Sequence, residues 1–265
     1  MRVALIQSEL VWGNVTENLL HFERKVMECR EVDLILLPEM FTCGSMMVKR
    51  PKEVVNTEKK AIADRYEEVK QVMQRWAKDR QAMLLGSTIY ETAGNYYNRM
   101  IIAFPNGDLR YYDKRHCFRM GGENEHFEAG NERIVFEYLG VKIAPFICYD
   151  LRFPVWSRNV EEYDLALYIA NWPAARRKVW QTLLKARAIE NQAYVVGVNC
   201  VGMDLNGIAY AGDSMGIDAR GEIILQAAEY RNETVVIDCD MKVLHEFRRK
   251  FAVLEDRDAF VLNLS

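Results

Sequence analysis

Apolar side chains recur with a helical period in the first third of the chain, and short apolar runs separate the helical segments. In the first segment, the positions that share one helix face are Leu19, Phe22, Val26 and Cys29. Asn14 and Glu17 precede this face with the spacing of a capping box. A second helix is predicted over residues 58–78. Strands are predicted over residues 1–7, 32–37 and 83–90, so strands and helices alternate here.

Strands predominate in the rest of the chain, and several of them form hairpins. Pro105-Asn106-Gly107 and Leu139-Gly140 are turn signals between apolar runs. The predicted strands cover residues 96–104, 109–113, 134–137, 141–147, 165–170, 194–201, 209–217, 222–227 and 234–239. Two further helices are predicted, over residues 179–193 and 242–250. About ten or more strands with two pairs of helices favour a layered α/β fold, in which two stacked sheets are covered by helices outside.

Composition narrows the class of protein. Half of the 265 residues are hydrophobic and 28% are charged, which predicts a folded chain with a sizeable core. A net charge of −3 does not fit the basic surface of a nucleic-acid-binding protein. No apolar run approaches the roughly 18 residues of a membrane span, and the apolar start is too short for a signal peptide. Because no linker or repeat interrupts the chain, we interpret residues 1–265 as a single domain.

Six cysteines are scattered along the sequence without a Cys-x-x-Cys pair: Cys29, Cys43, Cys117, Cys148, Cys200 and Cys239. With no signal peptide, reduced thiols are expected rather than a disulfide framework, and the compartment is expected to be the cytoplasm. The same dispersion disfavours a structural zinc site. A chemical role for any one cysteine therefore needs local evidence, since most buried cysteines only pack.

Three segments share one arrangement, in which an apolar strand ends and a reactive side chain follows. The reactive side chains are those of Glu39, Lys114 and Cys148. Groups at the carboxyl ends of strands are well placed to meet in a crevice. A cysteine nucleophile needs a base that takes its proton, and the resulting oxyanion needs a positive or N–H donor. Together the three residues can supply these roles without a histidine.

Each of these residues also has a simpler interpretation when it is taken alone. Glu39 is compatible with a solvated turn, Lys114 with a charged loop, and Cys148 with ordinary packing. Histidine is the usual partner of a catalytic cysteine, so a Cys–His pair that uses His116 or His126 is the first competing hypothesis. The two other histidines, His21 and His245, lie in predicted helices and are expected at the surface.

The motifs around these residues resemble those of the nitrilase superfamily of carbon–nitrogen hydrolases. The matching strings are Leu37-Pro38-Glu39-Met40-Phe41, Asp113-Lys114-Arg115-His116 and Ile147-Cys148-Tyr149-Asp150-Leu151-Arg152-Phe153-Pro154. Two more strings resemble the bacterial omega-amidase branch, Ala170-Asn171-Trp172-Pro173 and Arg187-Ala188-Ile189-Glu190-Asn191-Gln192. The resemblance extends over nearly the whole chain.

The resemblance implies a four-layer αββα sandwich that dimerises into an αββα–αββα body, with no metal and no organic cofactor. It also implies that Glu39 is the general base, that Lys114 stabilises the oxyanion and that Cys148 is the nucleophile. Many members have a further glutamate seven positions before a loop-ending glycine. With Gly130 as that glycine the residue is Glu123, although Glu125 is an alternative.

In the omega-amidase branch the implied reaction is hydrolysis of the terminal amide of 2-oxoglutaramate or 2-oxosuccinamate. The substrate carboxylate then needs a cation, for which Arg152 is the candidate. The alternative is that Arg152 pairs with Asp150 or another nearby acid and only braces the turn. The backbone N–H of Tyr149 is the second expected oxyanion donor. Other candidate pocket residues are Phe41, Phe118 and Trp172 as aromatic walls, Met46, Met47 and Met120 as soft lining, and Arg176 as a further carboxylate ligand.

Other functions remain open from the sequence. The same three catalytic residues serve carbamoyl-amine hydrolases and aliphatic amidases or nitrilases, so only the pocket separates these enzymes. A non-catalytic binding protein with the same fold and a Cys–His thiol hydrolase or transferase are further alternatives. The expected partner is a small amide, not nucleic acid or a membrane. A second copy of the chain is also expected, because residues 247–265 are apolar for a free tail, although covering the chain's own core is the alternative.

Overall fold

Two six-stranded sheets form the framework of this computed structural model, which describes residues 1–45 and 52–263. The strands are β1 (Arg2–Gln7), β2 (Leu34–Leu36), β3 (Met83–Thr92), β4 (Asn95–Ala103), β5 (Leu109–Asp113), β6 (Phe136–Tyr138), β7 (Val141–Ile147), β8 (Leu165–Ala170), β9 (Tyr194–Asn199), β10 (Val201–Met203), β11 (Ala209–Ala211), β12 (Met215–Ile217), β13 (Ile223–Gln226) and β14 (Glu233–Asp238). The helices are α1 (Val15–Glu28), α2 (Lys52–Ala63), α3 (Tyr66–Arg80), α4 (Pro154–Ser157), α5 (Arg177–Asn191) and α6 (Met241–Lys250).

The two sheets have the same kind of strand order. The first sheet runs β14-β1-β2-β3-β4-β5, and the second runs β13-β12-β9-β8-β7-β6. In each sheet three central neighbours are parallel, β1-β2-β3 in the first and β7-β8-β9 in the second, while the outer pairings are antiparallel. Among these parallel strands, β2, β7 and β8 are followed at their carboxyl ends by residues of the candidate site.

Alternating side chains of the central strands face two different apolar layers. In β1, Val3 and Leu5 belong to the core between the sheets, whereas Ala4 and Ile6 belong to the core under the first helices. Both faces are buried, which explains why these strands are continuous apolar runs rather than alternating ones. The helices α1 and α3 cover the outer face of the first sheet through Phe22, Trp76 and their neighbours.

On the far side, α5 covers the second sheet with Trp180, Leu184 and Ala188. The layers are therefore helix, sheet, sheet and helix, so the predicted four-layer αββα sandwich is confirmed. Among the described residues, no helix has the length and apolar character needed to cross a membrane.

The helix predicted over residues 58–78 is wrong as a single helix, because the chain breaks between α2 and α3 at Asp64 and Arg65. Apolar spacing continues through the break, since Ile62, Tyr66 and Val69 all face the core. The strand predicted over residues 209–217 is likewise two strands, β11 and β12. Gly212 and Asp213 between them have φ angles of 77° and 57°, which a continuous strand cannot contain.

The start of α1 shows the predicted cap in a slightly different form. The Asn14 side chain accepts from the backbone N–H of Glu17 at 3.1 Å, as a helix cap should. Glu17 reaches back to the Asn14 side-chain amide, Nδ2 to Oε1 at 2.7 Å, where a full capping box would use the backbone N–H.

Candidate active site

Four strand ends meet at one edge of the two sheets. Lys114 directly follows β5, Cys148 directly follows β7 and Asn171 directly follows β8, while Glu39 lies three residues after β2. Their side chains or backbone atoms line one narrow cavity of about 100 Å³. The structure therefore brings together the three residues that the sequence singled out, from segments that are far apart along the chain.

Cys148 is held in an unusual backbone conformation at the end of its strand. Its φ angle is 45°, in the left-handed region, and it begins a short 3-10 turn, Cys148–Arg152. The carboxylate of Asp150 braces this turn, because it accepts from the Ile147 backbone N–H at 3.1 Å and from the Tyr112 hydroxyl at 2.7 Å. The nucleophile candidate is thus presented by a sharp, well-supported corner.

Lys114 lies between two buried carboxylates. Its Nζ donates to Glu39 Oε1 at 2.8 Å and to Glu123 Oε1 and Oε2 at 2.9 and 2.8 Å. Burial alone lowers the pKa of the Lys114 ammonium, but the charges of Glu123 and Glu39 outweigh it and hold that pKa well above its usual value. Lys114 is therefore a fixed positive charge in the site.

Glu123 is the carboxylate that fixes Lys114, and Glu125 is not. Glu123 is buried, whereas Glu125 is exposed on the same short loop. Glu123 also accepts from the backbone N–H of Phe118 at 2.6 Å. Burial raises the pKa of the Glu123 carboxyl; Lys114 opposes the rise and the charge of Glu39 adds to it. The predicted spacing of seven residues before Gly130 also gives Glu123. Gly130 lies close to Lys114, because its backbone N–H donates to the Lys114 carbonyl at 2.9 Å.

The surroundings of Cys148 disfavour the ionised form of its thiol. Burial raises its pKa well above the usual value, the charge of Glu39 raises it further, and Lys114 offsets part of the rise. The thiol must therefore lose its proton to a neighbouring group before or while it attacks. Glu39 is the carboxylate that faces it.

Glu39 is oriented by two asparagines that the sequence analysis missed. Its Oε1 accepts from Asn98 Nδ2 at 2.8 Å, and its Oε2 accepts from the backbone N–H of Asn171 at 2.8 Å. Asn98 is a buried polar residue of β4 next to Arg99, and nothing local marks it as a partner of Glu39. Asn171 repeats the pattern of a polar residue at a strand end, and this signal was available in the sequence.

The cavity above Cys148 has aromatic walls and, besides Lys114, two arginine side chains. Of the predicted pocket residues, Phe118, Tyr149, Arg152 and Trp172 line it. The Arg152 guanidinium lies over the Trp172 ring at 5.3 Å, and the Arg176 guanidinium lies over the Phe118 ring at 5.0 Å. Neither arginine forms an ion pair with a carboxylate within the described part of the chain. Asp150 is occupied elsewhere, so the predicted Arg152–Asp150 brace is absent among these contacts.

Phe41 is not a wall of this cavity, which corrects its predicted role. Its side chain is fully buried under the helices, with ring centroids 5.6 Å from Phe22 and 6.4 Å from Trp76. It faces the helical side of the first sheet, opposite to the side on which Glu39 points. Met120 is 75% exposed and outside the lining, and Met46 and Met47 lie outside the described residues.

The histidines do not support a Cys–His pair. His116 Nδ1 lies 2.7 Å from Asp150 Oδ1, and its ring stacks on Phe153 with centroids 3.7 Å apart. No histidine is among the residues that line the cavity in residues 1–45 and 52–263. The described residues also contain no cluster of three or more His, Cys, Asp or Glu side chains that could hold a metal ion.

A buried thiol, a facing carboxylate and a fixed ammonium are the groups that acyl transfer requires. The thiol can attack an electrophilic carbon, the carboxylate can accept its proton, and the ammonium can stabilise the oxyanion that forms. The narrow cavity limits the substrate to a small molecule. Its two arginines favour a substrate that carries a negative charge.

Comparisons with known proteins agree with this chemistry. A family model described as carbon-nitrogen hydrolase matches residues 2–249. Omega-amidase YafV of Escherichia coli (strain K12) is 44% identical over 262 residues, which cover 99% of this chain and 98% of that protein. The 2-oxoglutaramate amidase of Bacillus subtilis (strain 168) is 30% identical over 259 residues and 96% of each chain.

A solved structure of high similarity supports the same family. The CN-hydrolase superfamily protein XC1258 from Xanthomonas campestris, solved with an arsenic adduct in its active site, superposes with a TM-score of 0.92 and 37% identity over 99% of both chains. The predicted superfamily is therefore confirmed. The chain belongs to the carbon–nitrogen hydrolase family, in the omega-amidase branch of the nitrilase superfamily, and is a hydrolase that acts on the carbon–nitrogen bond of amides.

Proposed function

We propose that this amidohydrolase cleaves the terminal amide of a small 2-oxo acid amide, 2-oxoglutaramate or 2-oxosuccinamate, to the acid and ammonia. The observation that carries the proposal is the Arg152 guanidinium, which lines the cavity beside Cys148 with no carboxylate partner among the described residues. A guanidinium binds a carboxylate through two parallel hydrogen bonds. A substrate that carries both an amide and a distant carboxylate therefore fits this cavity. Relatives named omega-amidase and 2-oxoglutaramate amidase support the same substrate class.

In the proposed mechanism, Cys148 attacks the amide carbon while Glu39 takes the thiol proton. The carbonyl oxygen becomes an oxyanion, which the Lys114 ammonium and the backbone N–H of Tyr149 stabilise. Since Lys114 is already fixed between two carboxylates at 2.8–2.9 Å, it needs no reorganisation when the charge forms. The raised pKa of Cys148 supports a concerted transfer to Glu39 over a preformed thiolate.

The remaining steps use the same carboxylate twice more. Glu39 returns the proton to the leaving nitrogen, so the C–N bond breaks, ammonia leaves and a thioester stays on Cys148. A water molecule then attacks the thioester carbon while Glu39 takes one of its protons. The C–S bond breaks, Glu39 gives this proton to the sulfur and the free acid leaves.

Glu123→Gln tests the proposed role of Glu123 as the residue that orients Lys114. Lys114 keeps its ion pair with Glu39 in this variant, so the fold should persist, but the ammonium loses its second anchor. We expect kcat to fall by about 10- to 100-fold, less than the 10²–10³ typical of losing an oxyanion donor outright. Steady-state ammonia release measures the effect.

Glu125→Gln is the matched control, because it makes the same chemical change two residues away on an exposed side chain. It should keep wild-type kcat. Equal losses in the two variants would contradict the assignment of Glu123, and a loss in Glu125→Gln alone would transfer the role to that residue.

The proposed substrate class is tested by an amide panel assayed for ammonia release. The panel contains 2-oxoglutaramate, 2-oxosuccinamate, a carbamoyl amine, an aliphatic nitrile and a simple aliphatic amide. We expect the highest kcat/KM for the 2-oxo acid amides. In Arg152→Lys, KM should rise about tenfold or more for these anionic amides and much less for the neutral amide, since a bidentate contact is lost.

Arg119→Lys is the control for Arg152→Lys, because Arg119 is exposed and outside the cavity lining. If the highest kcat/KM is found for the carbamoyl amine or the nitrile, the proposed activity is wrong and the chain has another activity of the superfamily. Tight ligand binding without any turnover would instead indicate a non-catalytic protein.

A second copy of the chain is the proposed partner. The C-terminal segment leaves Phe260, Val261 and Leu262 exposed next to Val155 at the start of α4. Contiguous apolar side chains of this kind are typical of surfaces that another protein covers. We therefore propose a homodimer, or a higher homo-oligomer, in which this surface is buried.

The proposed compartment is the cytoplasm. All six cysteines are free, and five of them are buried. A reducing compartment keeps such thiols, including the proposed nucleophile Cys148, from oxidation.

A further inference from the structure

A lysine lies on the buried face of α2. Val55, Lys59 and Ile62 follow one another at helical spacing on this face, and Lys59 is only 6% exposed. Lysine is almost never buried unless its ammonium has partners. Among the side chains that the structure describes, the only other buried lysine is Lys114 of the candidate site. The position of Lys59 is therefore not that of a solvated surface lysine.

The Lys59 ammonium points at the loop that carries Glu123. Its Nζ donates to the backbone carbonyl of His126 at 3.0 Å. The same Nζ lies 4.0 Å from the centroid of the Tyr96 ring and 5.8 Å from that of the Phe127 ring. A carbonyl oxygen and an aromatic face both attract a cation that is shielded from water. These contacts connect α2 to the loop and to the start of β4.

The backbone of the loop connects this contact to Glu123. The backbone N–H groups of His126 and Phe127 both donate to the Glu123 carbonyl, at 3.0 and 2.9 Å, so these residues form one tight turn. The Glu123 carboxylate at one end of the turn binds Lys114. The His126 carbonyl at the other end binds Lys59. A displacement at the second end therefore shifts the carboxylate at the first.

The contact from Lys59 is a strong one for a turn of this size. It is charge-assisted, and hydrogen bonds of this kind are about twice as strong as neutral ones. By comparison, Cys117 contacts the same turn through a weak thiol hydrogen bond, from Sγ to the Phe127 carbonyl at 3.6 Å. Beyond the turn, the backbone N–H of Glu128 donates to the Tyr96 carbonyl at 2.7 Å. Lys59 and Tyr96 thus hold the loop from the same side.

We propose that Lys59 is a positioning residue, which holds this turn and thereby places the Glu123 carboxylate against Lys114. Lys59 is not among the residues that line the cavity, so it acts through Glu123 and not on the substrate. The proposal rests on the proposed mechanism, in which Lys114 stabilises the oxyanion and Glu123 fixes Lys114. A shift of about 1 Å that originates far from the chemistry can cost about 10²-fold in rate, so an anchor at this distance can matter.

Lys59→Met tests the proposal, because methionine has a similar length, suits the apolar face of α2 and removes the charge. We expect kcat to fall about tenfold and KM to change by less than about twofold, since the change affects the placement of Lys114 and leaves the cavity wall intact. Lys59→Arg keeps a cation that can bind the carbonyl and lie on the Tyr96 ring, so it should keep most of the wild-type kcat. The substrate is whichever amide of the panel has the highest kcat/KM, so the test does not depend on the identity of the acyl group.

Lys60→Met is the matched control, because it makes the same change at the next residue of α2, where the side chain is exposed and pairs with Asp64. It should keep the wild-type kcat. Lys59→Met is also combined with Glu123→Gln. If Lys59 acts through Glu123, kcat of the double variant should lie within about twofold of that of Glu123→Gln alone. Thermal melting of each variant verifies that it is folded.

A further loss of about tenfold in the double variant would show that Lys59 acts on another part of the site and would overturn the inference. Wild-type kcat in Lys59→Met, or equal losses in Lys59→Met and Lys59→Arg, would overturn it as well. So would failure of both Lys59→Met and Lys59→Gln to fold, which would indicate a purely structural role.

These results leave the proposed function intact when Glu123→Gln lowers kcat. Wild-type kcat in Glu123→Gln would overturn the role of Glu123 and the inference together. A wild-type enzyme that releases ammonia from no amide of the panel would overturn the proposed function and the inference with it.

Discussion

Cys148→Ala should abolish ammonia release while the protein remains folded. Without the sulfur no thioester can form, and removal of a nucleophile from a comparable hydrolase lowers kcat by about 10⁶. The change removes one buried atom at a position whose backbone is braced by Asp150. We therefore expect the free energy of unfolding to fall by about 1 kcal/mol and the melting temperature by about 2–4 °C. Ammonia release and a thermal melt measure the two effects.

Cys29→Ala is the matched control, because Cys29 is also buried but lies at the end of α1. It should lose a similar amount of stability and keep its turnover. Wild-type turnover in Cys148→Ala would disprove the thioester mechanism.

Glu39→Gln should lower kcat by about 10²–10⁴, which is the usual contribution of a general acid–base group. The amide is the same size as the carboxylate, and Lys114 stays paired with Glu123, so no buried charge is left alone. Since the proposed mechanism uses Glu39 again for hydrolysis of the thioester, the acyl-enzyme should accumulate. Mass spectrometry of the variant incubated with 2-oxosuccinamate should find the acyl group on the peptide that contains Cys148.

The double variant Glu39→Gln, Cys148→Ala provides the control for that adduct and should carry none. An acyl group on another peptide would assign the nucleophile elsewhere. Full turnover in Glu39→Gln would require a different base.

Three strands were predicted closely from the sequence, since β5, β7 and β8 begin and end at the predicted residues. β7 and β8 are buried at almost every position, so their ends coincide with the ends of the apolar runs. β5 is a partly exposed edge strand. The ends of these three strands also carry two of the three proposed catalytic residues, Lys114 and Cys148, which explains why the site was recognisable before the fold was known.

The predictions that were wrong or incomplete concern features that the periodicity of apolar residues does not encode. The break between α2 and α3 lies within an unbroken apolar face, and Phe41 is as apolar as a pocket wall although it packs under Trp76. Asn98 was missed because its partner, Glu39, is 59 positions away in the sequence. That contact is set by the strand order of the first sheet, in which β3 lies between β2 and β4, and not by any local pattern.

The left-handed backbone of Cys148 has a consequence for how activity and stability are balanced in this chain. For a residue with a Cβ atom this conformation costs about 1–2 kcal/mol, whereas glycine adopts it freely. Backbone strain alone would therefore favour glycine at residue 148, whereas the packing of the buried side chain and its proposed role as nucleophile oppose this. The corner that presents the thiol is a place where the backbone conformation and the proposed chemistry favour different residues.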